Sequence, residues 1–183
     1  MNRCASIGCS PSRGSRAMSR EPREGVQPID AARFIADLLA HRSRTASGGD
    51  VQVALIDAVQ VLADRDGLRV ILENLLDNAH KYGGGSVRLA GVVRDGRWRL
   101  DISDRGRGFT PEIADKLFDL HHRGSGDGVT HGAGLGLAIA RQLARRMGGD
   151  ITARSPGPGQ GAVFTVSLTV AAAQLAGAET AHG

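Results

Sequence analysis

The sequence is poor in aromatic residues, cysteines and long apolar runs. Aromatic side chains make up 3% of the 183 residues. Both cysteines, Cys4 and Cys9, lie near the N-terminus without a second Cys/His pair at metal spacing, which argues against a disulfide framework and a zinc site. No apolar run approaches the ~20 residues that a membrane helix needs, and no signal-peptide core is apparent. We therefore expect a soluble, cytoplasmic protein without direct membrane insertion.

The positive charge is concentrated at the start of the chain. The formal net charge is +4, and residues 1–27 carry five arginines against two glutamates. This segment is rich in Ser, Gly and Pro, has few apolar groups and has no aromatic residue between its arginines. The composition predicts a disordered basic tail and gives no reason to expect nucleic-acid binding.

Residues 28–170 have the patterning of one globular domain, and residues 171–183 are predicted to be a frayed tail. Helical periodicity follows Asp30 and recurs from Asp66 to Tyr82, where a run of glycines ends the helix. Alternating apolar residues predict short strands around residues 51–55 and 59–63 and a hairpin with a tight turn at Asp95-Gly96. A short helix from Pro111, a helix over 135–147 and two final strands complete an α/β sandwich, with helices on one face of a mixed sheet.

Three polar residues of the segment ENLLDNAHKY share one side of its predicted helix. With about 100° per residue, Asn74, Asn78 and Lys81 fall in one stripe opposite the apolar face. The amide oxygen of Asn78 suits Mg²⁺, and Lys81 suits a phosphate. The alternative is an ordinary solvated helix face.

The strand that starts at Trp98 ends in the sequence Asp-Arg-Gly-Arg-Gly. Its carboxylate, Asp104, can accept a hydrogen bond from the exocyclic amine of adenine, whereas guanine presents a carbonyl there. Gly106 and Gly108 allow a flat base to approach the backbone. The alternative is an ordinary Asp/Gly turn.

Glycines also cluster where the helix of the segment HGAGLGLAIARQL begins. Gly132, Gly134 and Gly136 would expose backbone amides at the positive end of the helix dipole, which favours an anion site. The segment before them reads as a loop, so this is not a dinucleotide-binding fingerprint, and no GxxxxGK phosphate loop is present. A flexible loop with a glycine cap is the alternative.

Taken together, the segments ENLLDNAHKY, DRGRGF, KLFDLHHRG, GAGLGLAIA and GQGAVFTV resemble, in this order, the N box, first glycine box, F box, second glycine box and final glycine strand of sensor histidine kinases. The resemblance covers about residues 28–170. It implies the Bergerat ATP-binding fold and, as cofactors, ATP and Mg²⁺.

The resemblance also implies roles for individual residues. Phosphate and magnesium contacts fall on Asn74, Asn78, Lys81 and Tyr82, with Asn78 as the metal ligand. Further phosphate contacts fall on the run from Gly132 to Leu137, which includes Gly134, Leu135 and Gly136. Adenine contacts fall on Asp104, Gly106, Gly108 and Phe109, and Thr165 completes the nucleotide site. The catalytic set is Asn74, Lys81 and Arg123, although Leu120 and His122 depart from the usual aromatic pattern around Arg123.

None of the six histidines is followed by an acidic residue, as the phosphoacceptor histidine of these kinases usually is. We therefore expect an ATP-dependent histidine kinase domain that acts on an acceptor-helix protein in trans and, through it, on a response regulator. The isolated chain is expected to be a monomer and inactive alone.

Three other functions stay open at this point. The first is a stand-alone serine kinase of the anti-sigma type. The second is an ATP-hydrolysing conformational module of the topoisomerase or Hsp90 type. Such modules use a glutamate to orient water at the position where this chain has Asn74, and Glu73 is rotated about 100° away from that position. The third is a degenerate nucleotide-binding interaction domain.

Overall fold

A computed structural model describes residues 25–44, 50–119 and 135–171. These residues form three α-helices and seven strands: β1 (Gln27–Asp30), α1 (Ala31–Arg44), β2 (Asp50–Ile56), β3 (Gln60–Ala63), α2 (Arg65–Tyr82), β4 (Ser86–Arg94), β5 (Arg97–Asp104), α3 (Gly136–Arg146), β6 (Asp150–Arg154) and β7 (Val163–Thr169). Two 3-10 turns, Pro111–Ile113 and Lys116–Phe118, replace the single short helix predicted from Pro111. Arg123, Gly132, Gly134 and both predicted tails except residues 25–27 and 171 lie outside the described residues.

Five strands form a mixed sheet in the order β2-β4-β5-β7-β6. Strand β2 runs parallel to β4, and the other neighbouring pairs are antiparallel. Strands β1 and β3 form a separate two-stranded antiparallel sheet. Strand β1 was not predicted from the sequence, and its four residues carry only one buried side chain, Ile29.

The core lies between one face of the sheet and the helices. Alternate residues of β5 and β7 are buried there, and the apolar stripe of α2 covers them. The buried strand residues pair in register across the two strands: Trp98 with Leu168, Leu100 with Val166, and Ile102 with Phe164. The intervening residues of both strands point to the opposite face and are half-buried or exposed. The predicted α/β sandwich is thus confirmed.

Local signals in the sequence account for most element boundaries. The Asp30 carboxylate accepts the amide of Arg33 at 2.9 Å, as expected for a helix cap. The cap of α2 is Asp64, which accepts the amide of Gly67 at 3.1 Å, so this helix begins at Arg65, one residue before the predicted start. Asp95 and Gly96 have φ values of 53° and 68°, the left-handed geometry that a tight hairpin turn requires. No helix among the described residues is both long enough and apolar enough to cross a membrane.

Candidate nucleotide-binding site

Asp104, the last residue of β5, is held by hydrogen bonds to two separate loops. Its Oδ1 accepts the amide of Gly106 at 2.9 Å and the amide of Ala162 at 3.2 Å. Its own amide donates to the carbonyl of Ala162 at 2.9 Å. The side chain is in phase with buried Ile102 and therefore faces the helix layer. Both of these side-chain hydrogen bonds use Oδ1, and the second oxygen, Oδ2, has no hydrogen bond to a described residue.

The loop after Asp104 lies against the C-terminal end of α2. The amide of Arg105 donates to the carbonyl of Gly83 at 3.3 Å, and the amide of Arg107 donates to the carbonyl of Tyr82 at 3.1 Å. Between them, a Cβ at Gly106 would lie 1.8 Å from the carbonyl oxygen of Tyr82, so only glycine fits. The glycine predicted to allow a base to approach thus first allows two segments of the chain to approach each other.

The turn between β6 and β7 supports the loop from the other side. The amide of Gly161 donates to the carbonyl of Gly106 at 3.0 Å. Gly108 lies against Ser155, whose hydroxyl accepts the amide of Phe109 at 3.1 Å. The buried ring of Phe109 packs 6.4 Å from that of Phe164. No role was predicted for Ser155, although the glycine-rich turn that follows it in the sequence indicates close packing.

The polar stripe on α2 is present as predicted, and it faces the start of α3 at one point. Asn74 donates from Nδ2 to the carbonyl of Val70 at 2.8 Å. Its Oδ1 lies beside Gly136, where a Cβ would be 2.5 Å from that oxygen. One turn later, the half-buried Asn78 has no side-chain hydrogen bond to a described residue. Lys81 is exposed at the end of the stripe.

The donor set on α2 fits magnesium. The amide oxygen of Asn78 is a hard ligand without a described partner, and Mg²⁺ commonly takes only one or two protein ligands while keeping water and phosphate oxygens. No cluster of three or more His, Cys, Asp or Glu side chains suited to a metal occurs in the described ranges.

The first turn of α3 leaves its amides without a side-chain cap. Leu135 occupies the cap position without a side-chain hydrogen bond, and Gly136 and Leu137 follow as half-buried residues. Uncapped amides at a helix N-terminus favour an anion. The preceding glycines, Gly132 and Gly134, lie outside the described residues.

Thr165 is separate from the other predicted contacts. It pairs in register with Asp101 and donates from its hydroxyl to the Asp101 carboxylate at 2.6 Å. Its neighbours Phe164 and Val166 point into the core, so the alternation of β7 turns Thr165 to the opposite face from Asp104. The structure does not bring Thr165 into the site. The resemblance assigned Thr165 to the site from the order of the motifs alone. The order of motifs does not say which face of the sheet a residue of β7 points to.

Arg141 of α3 joins the second 3-10 turn to the sheet. Its guanidinium lies 4.6 Å from the ring of Phe118 and 2.9 Å from the Asp150 carboxylate. Burial raises the pKa of Asp150, but hydrogen bonds from Arg141 and Arg145 outweigh burial and hold this pKa below its ordinary value. The hydrogen bonds that Arg141 donates to the Asp150 carboxylate raise the pKa of Arg141. This network could not be predicted from the sequence, because its members lie on separate elements whose packing the sequence pattern does not give.

The sheet-end carboxylate, the amide stripe and the uncapped helix start all belong to one α/β domain. Residues 63–172 match the family model described as "Histidine kinase-, DNA gyrase B-, and HSP90-like ATPase". This match spans more than half of the 183 residues, and the chain belongs to that family.

Individual relatives narrow the class. The chain is 43% identical over 171 residues to the sensor histidine kinase Hik2 of Synechocystis sp., covering 80% of this chain and 39% of the relative. The mycobacterial sensor histidine kinase MprB superposes with a TM-score of 0.68 at 29% identity, covering 79% of this chain and 97% of that one. Full-length ShkA in complex with AMPPNP superposes with a TM-score of 0.66 at 30% identity, covering 80% and 32%.

These matches identify an ATP-binding catalytic domain of the sensor histidine kinase type, and they confirm the fold that the motif resemblance implied. The chain spans less than half the length of Hik2.

Proposed function

We propose that this chain binds Mg-ATP and transfers the γ-phosphate to a histidine supplied in trans by an acceptor-helix protein of a two-component pathway. The observation that carries this proposal is the position of Asp104. Its Oδ1 is used by two backbone amides, and its Oδ2 faces the helix layer without a described partner. A fixed carboxylate with one available acceptor suits the exocyclic amine of adenine.

Specificity for adenine follows from this arrangement. Because Asp104 is tied to Gly106 and Ala162, it cannot turn away from a base that offers no donor. A guanine carbonyl in the same place would leave two acceptors unpaired. The complex of ShkA with AMPPNP is consistent with a nucleotide of this class.

The phosphates would lie between α2 and the start of α3. We assign phosphate contacts to Lys81, Tyr82 and the amides of residues 132–137, and the magnesium ligand to Asn78. The metal would supply charge neutralisation on the phosphates and help to fix their orientation. Asn74, packed against Gly136, would set the distance between the two helices, and Arg123 would be a charge partner of the γ-phosphate.

The acceptor is proposed to come from outside these 183 residues. None of the six histidines precedes an acidic residue, and in the kinases that the chain resembles this acidic residue assists the attacking imidazole. Catalysis by this chain would therefore consist of positioning and charge stabilisation. A response regulator would receive the phosphate from the acceptor, and the use of ATP suits a cytoplasmic location.

The test is phosphotransfer from radiolabelled ATP. The chain alone should not become labelled, and a protein carrying dimerising acceptor helices should acquire acid-labile, base-stable phosphate only when this chain is added. Stable label on serine of a partner would instead favour the anti-sigma type of kinase. Acid-labile label on the chain alone would overturn the assignment of the acceptor to another polypeptide.

A further inference from the structure

Arg107, in the loop after Asp104, is held to Tyr82 through both its backbone and its side chain. Its amide donates to the Tyr82 carbonyl at 3.1 Å, and its guanidinium carbon lies 4.0 Å from the centre of the Tyr82 ring. Its own carbonyl accepts the amide of Gly159 at 2.6 Å, which fixes the backbone from the other side. The guanidinium is therefore pre-positioned although the residue is exposed.

A second cation lies beside the same ring. The Lys81 ammonium is 5.4 Å from the centre of the Tyr82 ring. The two distances place the cationic groups of Arg107 and Lys81 at most about 10 Å apart, so one bound anion can lie near both. An anion bound between these two groups would be attracted by both of them.

The chemistry of the Arg107 side chain selects the kind of anion. The guanidinium carbon lies 4.0 Å from the centre of the Tyr82 ring, and the N–H edge of the group has no hydrogen bond to a described residue. Such an edge matches two oxygens of a phosphate. Arg107 lies three residues after Asp104 and against Tyr82, between the positions assigned above to the base and to the phosphates.

We propose that Arg107 is a further nucleotide-contacting residue of this chain, and that its guanidinium binds a phosphate of the adenine nucleotide. This inference rests on the proposed nucleotide site and adds a residue that the motif resemblance does not assign. The Tyr82 ring acts as a platform that holds the cation at the edge of the site before the nucleotide arrives.

The experiment compares adenosine, AMP, ADP and ATP on the wild-type chain and on Arg107→Ala, by calorimetry with NMR titration for weak binders. Arg107→Ala should weaken ATP and ADP roughly tenfold, should leave adenosine within about twofold, and should make the salt dependence of ATP binding shallower. Arg107→Lys, which keeps the charge but loses the planar edge, should give an intermediate loss.

Arg105→Ala is the matched control, because Arg105 is an exposed arginine of the same loop that stacks on no described ring. It should change ATP affinity by less than about twofold. Unchanged ATP affinity in Arg107→Ala, or an equal loss for adenosine and ATP, would overturn the inference. If Arg107→Ala unfolds at a markedly lower temperature than the wild-type chain, the same comparison of adenosine with ATP is made on Arg107→Gln. A wild-type chain that binds no adenine nucleotide would instead refute the proposed function itself.

Discussion

Asp104 and Ala162 are joined by two hydrogen bonds, one from each amide: the Asp104 amide donates to the Ala162 carbonyl, and the Ala162 amide donates to the Asp104 carboxylate. Residues 58 positions apart in sequence thereby fix one carboxylate at the end of a strand. The nucleotide site therefore depends on the β6–β7 turn as well as on the motif that contains Asp104.

Removing the proposed magnesium ligand should reduce phosphotransfer much more than it reduces nucleotide binding. Asn78→Ala should lower phosphotransfer to an acceptor protein by about a hundredfold or more, because the phosphates would be misplaced. Binding of ADP in the absence of magnesium should stay within about twofold, and added magnesium should no longer raise ATP affinity. His80→Ala, an exposed change on the same helix, is the control and should behave as wild type. Transfer at the parental rate in Asn78→Ala would mean that the α2 stripe is only a solvated face.

The contact between α2 and α3 can be tested by a double-mutant cycle. A Cβ at position 136 would lie 2.5 Å from Oδ1 of Asn74, so Gly136→Ala should destabilise the fold by about 1–3 kcal/mol. In an Asn74→Ala background the same change should be neutral or stabilising, because alanine favours a helix over glycine. Urea unfolding of the four proteins measures the coupling. Equal effects in both backgrounds would show that Gly136 and Asn74 do not constrain each other.

The sequence was sufficient to predict elements that depend on interactions between neighbouring residues. Helix α2 and the hairpin at Asp95-Gly96 follow from side-chain periodicity and turn chemistry, and both formed as predicted. Side-chain contacts between separate elements could not be predicted in the same way. The support of Phe109 by Ser155, and the pairing of Arg141 with Asp150, depend on how separate elements meet in space.

Thr165 shows a different limit. A motif fixes the order of residues, but the face to which Thr165 points depends on strand phase, which is set by the burial of Phe164 and Val166. Strand β1 was not predicted because it has too few buried side chains to give an alternating pattern in the sequence.

The network around Asp150 predicts a pH dependence of stability. Its pKa in the folded protein is lower than the ordinary value of 3.8, so its contribution is present above that pH and is lost as the pH falls through the folded-state pKa. Asp150→Asn should lower the free energy of unfolding at pH 7 by no more than about 1 kcal/mol, because the side chain is 38% exposed and solvent screens the ion pairs. The difference from wild type should shrink below about pH 4.

Asp115→Asn is the control for this pH dependence. Asp115 also lies near Arg141, at 3.7 Å, but its side chain is 98% exposed. Urea unfolding of both variants from pH 3 to pH 7 should show the larger and more pH-dependent effect at Asp150. A pH-independent loss in Asp150→Asn would mean that packing, and not the charge of Asp150, is responsible.

The central claim is that Asp104 reads adenine, and calorimetric titration of Asp104→Ala with ATP, ADP and GTP tests it most directly. A hydrogen bond to a charged group contributes about 1.5–3 kcal/mol, or roughly ten- to a hundredfold in affinity. The variant should therefore bind ATP and ADP more weakly by a similar factor, and it should lose most of its preference for ATP over GTP. A thermal melt must show that the loop still folds, since Asp104 also binds Gly106 and Ala162. Unchanged ATP affinity, or full discrimination against GTP in a folded variant, would contradict the account.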